Sequence, residues 1–214
     1  MRFRKPTFLT AVLGLICMAI LLALGAWQMD RRAWKQDLIA TIGERMALPA
    51  VDLPAAPGPE WTYRRVLVQG ETVPGGWFRF PGRARDGQVG DVLMLLIRTA
   101  DGRLVAAERA FVGFNEPLPP LPAAVAMEGV LRLPAARGWF TPDNGPAENQ
   151  WYTVDPAAMA ASIGADQGAA LPLYVVARDW QPQLPNNHLQ YALTWFSFAG
   201  IFAIIFILFH RRKG

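Results

Sequence analysis

Pro185-Asn186-Asn187-His188-Leu189-Gln190-Tyr191-Ala192-Leu193-Thr194-Trp195-Phe196 is where a polar, strand-like chain turns into an apolar run. No side chain from Ala192 to Phe209 is charged, and about 18 such residues in a row are enough for a transmembrane helix. Pro185 interrupts whatever precedes it. Asn187 is then placed to cap the new helix, with Gln190 three residues on reaching back in a capping box. His188 falls in the first helical turn, where hydrocarbon gives way to headgroups. The positive helix end opposes an added proton, and a neutral imidazole facing an apolar span can ligate a metal. His188, Tyr191, Ala192, Trp195 and Ala199 fall at i, i+3, i+4, i+7 and i+11, a stripe able to line a flat hydrophobic ligand. A plainer role fits the same residues: polar groups at the mouth of a span, with Tyr191 and Trp195 as belt aromatics. No second His or Cys at ligand spacing stands nearby.

Working outward, Leu9 to Trp27 is a second uncharged run long enough to span. Ala23-Leu24-Gly25 could be a signal-peptide cleavage site, but the stretch exceeds the usual signal core, so we expect a retained anchor. Arg2, Arg4, Lys5, Arg211, Arg212 and Lys213 occupy the tails, which leaves fifteen bases against 17 acids elsewhere. The net charge of +4 therefore gives no footprint for nucleic acid. Basic tails obey the positive-inside rule for a chain with both ends in the cytoplasm. With only eight residues before the first run, no transit peptide fits, and the expected setting is a bacterial inner membrane with the central domain periplasmic. The single cysteine, Cys17, lies inside the first apolar run, which excludes an intramolecular disulfide.

If the first helix continues outward, Gln28, Arg31 or Arg32, and Lys35 form one polar, cationic face. Such a face can bind anionic headgroups of the lipid bilayer or meet the carboxylates of a ligand. The expected organisation is a tail over 1–8, a span over 9–28, a juxtamembrane helix and linker over 29–60, a β-rich domain over 61–184, a second span over 185–209 and a tail over 210–214. Within the domain, strands are expected at Tyr63–Val68, Trp77–Phe80, Val92–Arg98, Leu104–Val112, Glu128–Leu133 and Leu173–Ala177. Ala100-Asp101-Gly102 marks a hairpin turn, and Asp155-Pro156 starts a helix over Ala157–Ile163. The fold class is a membrane protein with two transmembrane helices flanking a mostly antiparallel β (α+β) domain. With no histidine before His188, no P-loop and no hydrolase or zinc motif, enzyme chemistry has little to work with.

Three pieces of sequence converge on one family. Leu24-Gly25-Ala26-Trp27-Gln28 with Arg31 and Trp34-Lys35 is the first. Gly138-Trp139-Phe140-Thr141-Pro142-Asp143-Asn144, followed by Trp151-Tyr152, Asp155 and Met159-Ala160, is the second. The stretch from Asn186 to Phe196 is the third. Together they resemble the Surfeit locus protein one family of cytochrome oxidase assembly factors, across the whole chain. The resemblance implies a non-catalytic role in supplying haem a to subunit I of cytochrome c oxidase, with His188 as the haem axial ligand and haem a synthase as a further partner. Where the family usually shows Asn-Arg-Gly-Trp, this chain has Glu108-Arg109-Ala110-Phe111. Haem needs an axial nitrogen, an apolar slot and cations for its propionates. His188, with Tyr191 and Trp195 beside it and Gln28, Arg31 and Arg32 opposite, is expected to supply them. Gly25 and Trp27 should stand around His188, and Ala19, Ala23, Ala199 and Ala203 should let the two helices approach. The alternative is a scaffold that stabilises subunit I through the same spans without binding haem.

Overall fold

A computed structural model describes residues 7–85, 87–113, 116–179 and 184–211. The tail bases Arg2, Arg4, Lys5, Arg212 and Lys213 lie outside these. In chain order the elements are α1 (Phe8–Ala47), β1 (Val51–Asp52), β2 (Arg65–Arg85), β3 (Gln88–Arg98), β4 (Leu104–Gly113), β5 (Ala124–Arg132), α2 (Pro156–Ser162), β6 (Ala170–Ala177) and α3 (His188–Phe209). The chain divides into two compact units, one drawn from residues 1–42 and 182–214, the other from residues 43–181.

The second unit is a mixed sheet that closes on itself. β2 pairs antiparallel with β5 through residues 65–71 and with β3 through residues 71–85. β3 pairs with β4, β4 runs parallel to β6, and β6 returns antiparallel to β5. The ring β2-β3-β4-β6-β5 thus ends where it began. Alternate residues of all five strands, among them Val66, Val68, Leu95, Ile97, Val105, Leu131, Leu173 and Val175, form one buried cluster, as the two-residue period of a closed sheet demands. Their neighbours Phe78, Phe80, Met94, Leu96, Leu104 and Ala106 point the other way. They pack under Trp151 and under Met159 and Ala160 of α2.

Two expected strands, Tyr63–Val68 and Trp77–Phe80, are one strand of 21 residues. Gly70, Pro81 and Gly82 look like breakers in sequence, yet β2 passes them with register shifts between Thr72 and Trp77 and between Phe80 and Arg83. Glycine and proline at a bulge bend a strand without ending it. The hairpin at Asp101-Gly102 forms as expected, with Gly102 at φ +85°. There the Thr99 hydroxyl, helped by Arg103, holds the Asp101 carboxyl below the usual aspartate range. Asp155 caps α2 by accepting from Ala158 N–H at 3.0 Å, with Pro156 in its first turn.

The divergent strand segment also has an account. Glu108 is buried and ion-paired with Arg85, whose guanidinium stands 5.5 Å from the Phe111 ring. Glu108, Phe111 and Arg85 therefore form one unit, and a buried carboxylate is tolerable because its counter-charge comes with it.

The first unit contains the apolar helices. α1 runs unbroken for 40 residues, so the helical extension beyond Gln28 is real. Both helices are long and apolar enough to cross a membrane, and only 6% and 11% of their most apolar windows is buried. A core helix of a soluble protein would bury far more.

Candidate functional site

Three contacts between the two helices of the first unit follow in antiparallel order. A Cβ on Gly14 would lie 2.7 Å from the Phe206 ring, and one on Gly25 would lie 2.4 Å from the Phe196 ring. Glycine is required at both, because any side chain would have to displace an aromatic ring. The third contact is polar: His188 Nδ1 stands 2.8 Å from Gln28 Oε1. The expected close approach through Ala19 and Ala23 is not found, since both are exposed. They follow Gly14 by five and nine residues, about 140° and 180° around the helix, and so face away from α3. On α3, of the two alanines expected there, Ala199 is buried and Ala203 half-buried.

An amide oxygen can only accept, so in the neutral imidazole the contact with Gln28 selects the tautomer with its proton on Nδ1 and its lone pair on Nε2. His188 is half-buried in the first turn of α3. Asn187 occupies the capping position, yet its side chain makes no cap hydrogen bond. The expected capping box is therefore not formed. Asn187 sits at φ −88° and ψ 8°, away from the extended backbone from which a cap side chain reaches forward. The side-chain oxygen Oδ1 of Asn186 is buried and finds no partner among the described residues.

The cationic residues divide. Arg32 follows Gly14 by five full turns, about 0° around the helix, and so lies on the face that meets α3. Arg31 lies about 100° away, and its guanidinium stands 4.1 Å from the Trp34 ring centroid. Lys35 approaches the same ring at 6.0 Å. Trp27 is 53% exposed and does not join His188 as expected. Tyr191 is 54% exposed, whereas Trp195 is half-buried, edge-on to Phe198 at 6.1 Å. The structure therefore joins His188 to Gln28, puts Arg32 on the same seam, and leaves Tyr191 outside it.

The second histidine, His210, was not singled out in sequence. It closes α3, with Nδ1 2.8 Å from the carbonyl of Phe206 and its ring 4.5 Å from that of Phe206. Cys17, Thr10 and Phe209 line the same apolar recess. The signal available was only a polar residue ending a span, which is common.

As to what the arrangement can hold, His188 offers one unprotonated nitrogen, and Arg32 and Lys35 offer positive charge close in sequence to Gln28. The contact between Gly25 and Phe196 closes the seam about one turn deeper on α1 and two turns deeper on α3, which leaves no room for a macrocycle between the helices there. A ligand of His188 would have to lie at the mouth or on the outer side of the pair.

Comparison with known proteins identifies a family. A family model described as SURF1 family matches residues 15–200. A SURF1-like protein of Monosiga brevicollis is 30% identical over 89% of this chain and 83% of its own length. Surfeit locus protein 1 of Homo sapiens is 30% identical over 83% of this chain and 69% of its own length. A SURF1-like protein of Rickettsia felis is 23% identical over 95% of this chain and 97% of its own.

Proposed function

The chain belongs to the SURF1 family of cytochrome oxidase assembly factors, and from that premise we propose that it binds haem a and helps its insertion into subunit I of cytochrome c oxidase. Membership implies a non-catalytic role. The two apolar helices support a membrane protein, and a bacterial relative of nearly equal length supports a bacterial inner-membrane setting. In this reading both termini are cytoplasmic and residues 43–181 are periplasmic. An alkaline phosphatase fusion within residues 54–59 should then be active and one after Gly214 inactive; the reverse pattern would overturn the orientation.

The observation that carries the haem reading is the hydrogen bond between His188 and Gln28. It joins the two helices and leaves Nε2 of His188 free to hold iron as an axial ligand. Arg32, with Lys35 and Arg31, supplies charge for propionates. Haem is cargo here, and the chain's work is to bind, orient and release it. Co-expression with haem a synthesis should give purified protein with a haem spectrum. Purification with subunit I but without haem, when haem a is abundant, would favour the scaffold role instead.

A further inference from the structure

Trp139 and Phe140 are each 101% exposed, more than any other large apolar side chain among the described residues. They are held in that position by a closed turn. Thr141 N–H donates to the carbonyl of Gly138 at 3.1 Å, and Arg137 Nε donates to the carbonyl of Thr141 at 2.9 Å. Arg137 also pairs with Asp143. The next residue, Asn144, anchors the loop behind, accepting from the N–H groups of Tyr152 at 2.8 Å and Thr153 at 3.0 Å. The ion pair neutralises both charges flanking the turn, and the five residues between them are uncharged.

We propose that this turn is an interfacial anchor whose Trp139 and Phe140 insert into the headgroup region of a bilayer. The proposal rests on the membrane placement given above. The choice of lipid over a protein partner follows from area. Residues 135–140 are all exposed, and the two rings are the only large apolar side chains among them. Two aromatic side chains bury roughly 300–500 Å² together, against about 800 Å² per partner for a stable protein interface. A bilayer needs no shape complement, and it favours a ring with an apolar body and a polar N–H at headgroup depth. With no net charge at the tip, the insertion should be insensitive to salt.

The test uses the full chain reconstituted in phosphatidylcholine vesicles, with and without brominated acyl chains. Tryptophan emission is compared between wild type and Trp139→Phe, so that the difference isolates Trp139 among the eight tryptophans. Quenching of that difference by brominated lipid, by about half or more and unchanged by salt, is the expected result. Trp139→Phe together with Phe140→Ser, read against Phe140→Ser alone, should show reduced lipid quenching at Trp139; both side chains are fully exposed, so the fold should tolerate this. Quenching of the Trp139 component by aqueous iodide and not by lipid would overturn the proposal while leaving the membrane placement intact. Protection from both quenchers would overturn it in favour of a protein contact. Failure of the chain to stay with the vesicles would remove the membrane placement and the anchor together.

Discussion

The helix pair carries a histidine at each end of α3, and the two are held differently. His210 gives its Nδ1 to the carbonyl of Phe206, four residues back on its own helix, and stacks on the same residue. Its hydrogen-bond partner thus lies on its own helix. His188 gives its Nδ1 to a side chain 160 residues away in sequence, Gln28 of α1. Its orientation thus reports whether the two helices are in register. One histidine finishes a helix; the other is aimed by a neighbour, as ligating histidines usually are. Aiming also depends on what lies one turn deeper on α1, where Gly25 admits the Phe196 ring.

The difference can be broken at the seam itself. Gly25→Leu would drive the Phe196 ring out, and overpacking of this kind costs about 1–3 kcal/mol, roughly tenfold or more in an equilibrium that depends on the seam. Haem retention should fall by at least that factor, while Gly14→Leu, which strikes Phe206 at the His210 end, should leave it little changed. Equal losses from both would mean that the pair acts as one rigid object and that the ends are not distinct.

A milder variant removes the aim and keeps the helices. Gln28→Leu should weaken haem binding by roughly 10–100-fold, the usual effect of losing the partner of a ligating histidine, as read by haem titration. Nitrogen chemical shifts of the His188 ring in the haem-free protein should show the proton leaving its fixed place on Nδ1. An unchanged tautomer and unchanged affinity would reduce Gln28 to a bystander.

The arginines sharpen the contrast further. Arg32→Gln should cost about 1.5–3 kcal/mol of haem affinity if its partner is a desolvated propionate, and Arg32→Lys should keep part of it, since Lys keeps charge but loses the planar fork. Arg31→Gln should cost less, because that guanidinium is already engaged with Trp34. Membrane insertion should be unchanged in all three. If Arg31 and Arg32 prove equal and both negligible, they belong with the headgroups.

Much of this was legible in the sequence because single residues dictated it. The uncharged runs fixed both apolar helices, Asp155-Pro156 fixed the start of α2, and Asp101-Gly102 fixed the hairpin. His188 was recognisable from its place at the mouth of a span. Reading failed where the outcome depended on a neighbour not visible along the chain. Gly70, Pro81 and Gly82 end strands in isolation, yet pairing with β3 and β5 carries β2 past them. Alanine was expected at the helix contact, but large aromatic rings on α3 made glycine the residue required. The capping box failed because the backbone at Asn187 takes another conformation, and His210 stayed unread because its partners are local and ordinary.

The central claim is that His188, and not the other histidine, holds the cargo. The direct measurement is haem content per protein for wild type, His188→Ala and His210→Ala, each purified after co-expression with haem a synthesis. The account predicts that His188→Ala loses most of its haem and that His210→Ala keeps it. Haem retained in His188→Ala at the wild-type level, or lost only in His210→Ala, would contradict it.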